Sequence, residues 1–232
     1  MLNWEGEREL RIELLKEERS KGMPEKIMKK ETKKKKRNFS GFTAIEAFKH
    51  LKIKELNPWN LESLSWRSSD FFQERLRKLE EMFDLQSYEE SKKLLIDAIC
   101  EEALSDCKKL RIWKGAKLAD DLTTGYVDYL IAERQRYLET PFLCIVEAKK
   151  DDFEQGLAQC LVEMKACQFN NAQVGRSMDV FGIVTNGEGW RFYQLNLDHS
   201  VDSTSLYSTG NMDDLLGRLH HLFQLCEQQL GI

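Results

Sequence analysis

The chain has 232 residues, with 35 Lys and Arg against 39 Asp and Glu, a formal net charge of −4 and 41% hydrophobic residues. That length suits one medium domain with an appendage, or two small ones; no apolar run approaches the roughly 20 residues that span a bilayer, and the opening MLNWEGEREL lacks the cationic-then-apolar pattern of a secretory signal. The six cysteines, Cys100, Cys107, Cys144, Cys160, Cys167 and Cys226, form no CxxC pair and several sit in apolar runs, which reads as reduced, buried thiols of a cytoplasmic protein and not as a disulfide framework or a zinc site.

Along the chain the charge separates. Residues 21–37 hold nine Lys or Arg against Glu25 and Glu31, a balance of +7, while residues 1–20 balance to −2 and residues 38–232 to −9. Residues 2–19 scatter Leu and Ile among charges and can form a solvated helix, which Gly22 and Pro24 would end. The tract after Pro24 is nearly free of aromatic and β-branched residues, so it cannot bury enough surface to offset its ordering entropy. It reads either as an electrostatic arm for a nucleic-acid phosphate backbone or as a solubilising tail; with no interleaved aromatic residue it would add affinity without base reading. Residues 1–37 are therefore expected as a charged, mobile helix and basic arm, 38–86 as a helical accessory segment and 87–232 as the core.

Thr43-Ala44-Ile45-Glu46 is a capping-box pattern that predicts a helix over about 43–51. Ser69 caps a second, over about 70–84, with Phe71, Phe72, Arg75, Leu76, Leu79 and Phe83 at helical spacing; these two helices read as an accessory cap. Ser87-Tyr88-Glu89-Glu90 suggests another capping box, opening a helix over about 88–106 that turns Leu94, Leu95, Ile99 and Ala103 to a core. Then the period changes. Residues 110–113, 125–132 and 141–149 read as strands, 152–168 as a helix, and 179–185 as a short apolar strand. Asn186-Gly187 and Glu188-Gly189 signal a turn into a hairpin partner over 190–195. Leu206 marks an edge strand. A final helix over 212–229 carries Leu215, Leu216, Leu219, Leu222, Phe223 and Cys226 on one face. The order predicts an α/β fold, a mixed central sheet with helices on both sides.

The chemistry concentrates at residues 142–149. Five apolar residues, Phe142 to Val146, run straight into Glu147, Ala148 and Lys149. On a strand, residues two apart share a face, so Glu147 and Lys149 point the same way. Burying such charges is costly unless they are paired or bind an ion. Asp128 lies in a second apolar strand, GYVDYLI at 125–131, and an antiparallel pairing of the two strands would bring it to Glu147. Two carboxylates and the Ala148 carbonyl make a hard oxygen site suited to Mg²⁺ or Mn²⁺. Such a metal lowers the pKa of a bound water and stabilises charge on a phosphate, with a lysine beside it to orient the water. A strand that merely ends in Glu-Ala-Lys-Lys before a loop is the plain alternative; Asp128, the apolar strands and the Gln-bearing helix that follows weigh against it.

These residues resemble the PD-(D/E)xK nuclease superfamily: Asp128, then Glu147-x-Lys149, then a helix with Gln. More narrowly, SKKLLIDAI (91–99), GYVDYLI (125–131), IVEAKKDDFEQGLAQCLVEMKACQ (145–168) and FGIVTNGEGWRFYQL (181–195) are similar to uncharacterised bacterial proteins, many cyanobacterial, related to the N-terminal nuclease domain of type I restriction enzyme R subunits. The resemblance spans about 88–195, under half of the chain. It implies a restriction-endonuclease-like αβββαβ core with an N-terminal helical extension. It implies a metal-dependent endonuclease that hydrolyses DNA, with RNA as a further substrate class and a homodimer as a permitted assembly. Asp128 and Glu147 would be metal ligands, Lys149 would assist the attacking water, and Gln159 would be the helix Gln, with Gln155 as runner-up. Many members add an acid at the start of the first core helix, for which Glu89 and Glu90 compete. Glu90 has the reciprocal capping-box position, which favours Glu89, although spacing places the family acid nearer Tyr88. Val127 stands where many members have Pro.

Other chemistries find no footing. His50, His199, His220 and His221 show no metal-ligand spacing, no Ser/His/Asp arrangement can be picked out, and GxxxxGK[ST] is absent. Trp190 and Tyr193 read as packing on the sheet, and Trp59 and Trp66 as core or partner contacts. Arg134 and Arg136 would touch phosphates or decorate a turn. A nuclease-like fold used as a binding or assembly module, its body too acidic for duplex DNA, is the competing function.

Overall fold

The computed structural model describes residues 35–149 and 152–231. The proposed helix and basic arm over 1–34 lie outside the described residues. The last residues of the expected arm belong to the folded body. Arg37 opens β1 (Arg37–Asn38) and pairs with Glu46 at 2.6 Å, and Lys36 donates to the Asp120 carbonyl.

The described residues form a mixed nine-stranded sheet flanked by helices. After β1 come α1 (Ala44–Leu51), β2 (Asn57–Pro58), α2 (Asp70–Met82), α3 (Glu89–Ala103), β3 (Leu110–Ala119), β4 (Thr123–Glu133) and β5 (Phe142–Ala148). Then follow α4 (Phe153–Gln173), β6 (Val180–Thr185), β7 (Gly189–Leu195), β8 (Val201–Ser203), β9 (Tyr207–Ser208) and α5 (Met212–Gln228). The strands β3, β4 and β5 run antiparallel in sequence, α4 crosses over to place β6 parallel to β5, and β7 returns antiparallel to β6. A parallel neighbour requires such a crossover, and the helix supplies it.

Two apolar layers sandwich the sheet. On one face Tyr129, Cys144 and Val146 meet Ile96 and Ile99 of α3, Phe72 of α2, and the Leu215, Leu219 and Phe223 stripe of α5. On the other, Leu130, Ile145 and Val184 meet Ala47 of α1 and Ala158, Leu161 and Val162 of α4. The pair of helices expected as one accessory cap is thus split between opposite faces. Each fills a gap beside a core helix, α1 against α4 and α2 against α3.

The capping box at Thr43 is present: Thr43 Oγ1 accepts the Glu46 N–H and Glu46 accepts the Thr43 N–H. The one expected at Ser87 is not. Asp84 Oδ1 takes the Gln86 and Ser87 N–H groups in a local turn, and α3 begins at Glu89 behind Tyr88, whose side chain makes no capping bond. All six expected residues of α5 are buried, as are all six cysteines, which are free. On α2 only Phe72 is buried and Phe71 stays 68% exposed, so its apolar face is narrower than the spacing suggests. β3 runs on to Ala119, well past residue 113, and β8 went unread. The edge strand is Tyr207–Ser208, with Leu206 itself exposed. Trp190 and Tyr193 are buried, and Trp59 and Trp66 pack against the core.

Candidate active site

The site gathers where β4 and β5 leave their ladder. Backbone pairing ends at Tyr129↔Val146. On its other side the β3–β4 register skips the step between Lys114↔Tyr129 and Ala116↔Val127, where Gly115 takes a φ of 60°. Asp128 stands at that interruption. Its carboxylate replaces a ladder partner: Oδ2 accepts the Ala148 N–H at 3.0 Å. This bond ties Asp128 to the residue after Glu147, and it rests on the antiparallel pairing the sequence required.

Glu147 is 1% exposed, at the end of the apolar strand. Lys149 Nζ lies 2.7 Å from its Oε1 as an ion pair, but among the described residues no well-directed hydrogen bond reaches either carboxylate oxygen. Burial first, and then the charge of Asp128, push the Glu147 carboxyl up to about 7, against the pull of Lys149. Burial opposes the Lys149 ammonium, but Glu147, then Asp128 and Glu89, raise its pKa.

Helix α4 closes over this pair. Asp152 caps it, accepting the Gln155 N–H at 2.8 Å. At Gly156 an added Cβ would stand 2.6 Å from Val184 Cγ1 and 3.1 Å from Lys149 Cγ, so only glycine lets the helix come this near the sheet. One turn on, Gln159 Oε1 accepts from Lys149 Nζ at 3.1 Å. Gln155 turns away and donates to the Ser40 carbonyl at 3.1 Å, so of the two candidate glutamines only Gln159 reaches the pair.

Sequence reasoning missed Glu163. It lies one further turn along α4, is fully buried, and accepts from Gln159 Nε2 at 2.9 Å. Burial, then the charge of Glu147, hold its carboxyl well above the usual carboxylate range. Helix α4 is buried on nearly every side, so no apolar stripe distinguishes this position; an acid one turn after Gln159 was the signal the sequence offered.

It also missed Lys93, which bridges the other side of Asp128. Its ammonium lies 3.1 Å from Asp128 Oδ1, 3.3 Å from Glu89 Oε1 and 2.9 Å from Glu90 Oε1. Burial works against that charge, but the three carboxylates raise the pKa. The Glu89–Lys93 and Glu90–Lys93 spacings are those of ordinary helix-surface pairs, which hid the third partner. The capping argument that favoured Glu89 fails with the cap, yet Glu89 remains the nearer acid: its charge acts on both Glu147 and Lys149, whereas the Glu90 side chain is 85% exposed.

No protein-family model matches the chain. Over 50 residues, 22% of the chain, the sequence is 46% identical to Crinkler effector protein 5 of Phytophthora infestans, and the match covers 13% of that protein's length. A likeness of that reach does not show a family. Among the described residues no helix is long and apolar enough to cross a membrane. Nor do three His, Cys, Asp or Glu side chains group there as a ready metal cluster.

Proposed function

We propose that this protein is a metal-dependent nuclease that hydrolyses phosphodiester bonds of DNA, built on a restriction-endonuclease-like αβββαβ core. The observation that carries the reading is Glu147. A carboxylate buried to 1% exposure, with both oxygens short of hydrogen-bond donors among the described residues and Lys149 paired with one of them, has the chemistry of a cation ligand. Asp128, linked across the strands, and the Ala148 carbonyl would complete the protein's share of the site. Two carboxylates and a carbonyl are few donors, but Mg²⁺ keeps several waters and needs no all-protein cage. When bound, Mg²⁺ or Mn²⁺ supplies a Lewis acid that makes water nucleophilic near neutral pH and offsets charge on the phosphate. Lys149 would orient that water through its ammonium, Gln159 would hold Lys149, and Glu89 would add its charge nearby. RNA is the lesser substrate class, a homodimer is the assembly to look for, and the free thiols suit the reducing cytoplasm.

The test incubates plasmid, linear and single-stranded DNA with the protein, with and without Mg²⁺ or Mn²⁺, beside Glu147→Ala. Metal-dependent cleavage by wild type alone supports the reading; equal cleavage by both proteins sinks it.

A second reading rests on Lys93. An ammonium already shared among Glu89, Glu90 and Asp128 neutralises acids that a metal would use, which suits a nuclease-like binding or assembly module. Metal-independent DNA binding without cleavage would favour it.

A further inference from the structure

Gln159 has an amide with two unlike ends, and its neighbours fix which end goes where. Lys149 is an ammonium with three donors and no acceptor, so the group facing it must be the amide oxygen. The amide NH₂ then points the opposite way, along α4, and needs an acceptor in a place where Gln159 is 6% exposed. Glu163 Oε1 is that acceptor, at 2.9 Å. Glu163 is itself fully buried, and its Oε2 has no partner among the described residues. A side chain of this kind is expensive to bury for packing alone, since an apolar residue would fill α4 equally well.

We propose that Glu163 is a positioning residue for Lys149, acting through Gln159: its carboxyl oxygen holds the amide NH₂ and so turns the amide oxygen onto the Lys149 ammonium. This rests on reading Glu147 and Lys149 as the reactive centre, but the geometry it predicts can be measured without any reaction. The burial that keeps the Glu163 carboxyl well above the usual carboxylate range fits a neutral partner for a neutral amide.

The probe is the NMR signal of the Lys149 ε-carbon in lysine-labelled full-length protein, assigned by its disappearance in Lys149→Arg. Glu163→Met should move that signal, and Gln159→Met should move it too. In the Gln159→Met background, Glu163→Met should add nothing, because the two act in series. Glu163→Gln keeps an oxygen for the amide and should leave the signal in place. If Glu163→Met does not fold, Glu163→Asp, whose oxygen falls short of the amide, should move the signal instead. In cleavage assays Glu163→Met should lower kcat by about 10–100-fold, as loss of a supporting hydrogen bond does, with KM for DNA unchanged and with recovery in Glu163→Gln.

A Lys149 signal unmoved in Glu163→Met and Glu163→Asp overturns the proposal, as do independent, additive shifts from the two sites. If the signal behaves as stated while wild type cleaves nothing with either metal, the positioning role stands and the nuclease reading falls. If wild type cleaves and Glu163→Met changes neither signal nor rate, the reverse holds.

Discussion

Two lysines serve the acids of this site in opposite circumstances. On the α3 side, Lys93 is shared among Asp128, Glu89 and Glu90, and both glutamates also face water. On the α4 side, Lys149 meets one buried carboxylate and one neutral amide, and beyond the amide lies a second buried carboxyl, Glu163, with no ion pair among the described residues. At the solvent edge one ammonium is shared by three carboxylates that water also reaches; in the interior one ammonium meets Glu147 where water is excluded. An added cation would lower the free energy more beside Glu147 than at the solvent edge, because that carboxylate is desolvated and meets no well-directed hydrogen-bond donor among the described residues.

The widest separation of the two sides comes from removing each lysine. Lys149→Met, like Glu147→Ala and Asp128→Ala, should lower Mg²⁺-dependent cleavage by at least about 100-fold with the fold intact. Lys93→Met should keep cleavage within about tenfold of wild type, because its pairs are partly solvated and such pairs contribute little. Parallel cleavage curves and melting profiles read both effects; an equally inactive Lys93→Met would erase the contrast.

Next in size is Gly156→Ala. The added methyl would meet Val184 and the Lys149 stem. Overpacking of this kind destabilises by about 1–3 kcal/mol, and here it should also reduce cleavage by displacing Lys149. Thermal melts with kinetics check it; a silent substitution would show that α4 has room to move away from the sheet.

The buried carboxylate also predicts a pH dependence. Glu147 is pushed up to about 7 in the folded chain from an ordinary 4.5, so between those values the folded state holds the extra proton. Its contribution therefore favours folding at low pH and is lost as pH rises through 7, by roughly 1–3 kcal/mol. Metal-free wild type should lose stability relative to Glu147→Gln between pH 5.5 and pH 8, and Mg²⁺ should remove the difference. A constant gap between the two proteins across that range would show that Glu147 is not desolvated as its burial implies.

The smallest effect concerns the charged N-terminal residues. Because Arg37 is held by β1 and Glu46, the cut belongs before residue 35. Removing 1–34 should weaken DNA binding modestly and flatten its salt dependence, leaving the single-turnover rate alone. If affinity and salt slope both stay put, the phosphate contacts lie in the folded body.

How much of this was legible in the sequence depended on whether each signal was local. Helix α5 was readable because one face alone is apolar and all six of its marked residues are buried. The Asp128–Glu147–Lys149 group was readable because a charge at the end of an apolar strand has few explanations. Ser87 misled because a competing local bond, from its own N–H to Asp84, is invisible to a capping pattern. The short strands β1, β2 and β8 carry too few residues for any period to show. Lys93 and Glu163 were missed because their partners come from other parts of the fold. Lys93 resembles half of a surface pair until β4 brings Asp128 to it. Glu163 is a plain helix acid until sheet and helix together exclude water from it.

The cation site proposed beside Glu147 can be read in a calorimeter by titrating the metal-free protein with Mn²⁺, next to Glu147→Gln and Asp128→Asn. Such a site gives one binding event in wild type, accompanied by proton release at pH 6 that disappears at pH 8, and no binding in either variant. Heat from wild type that both variants reproduce, or no heat at all, would contradict it.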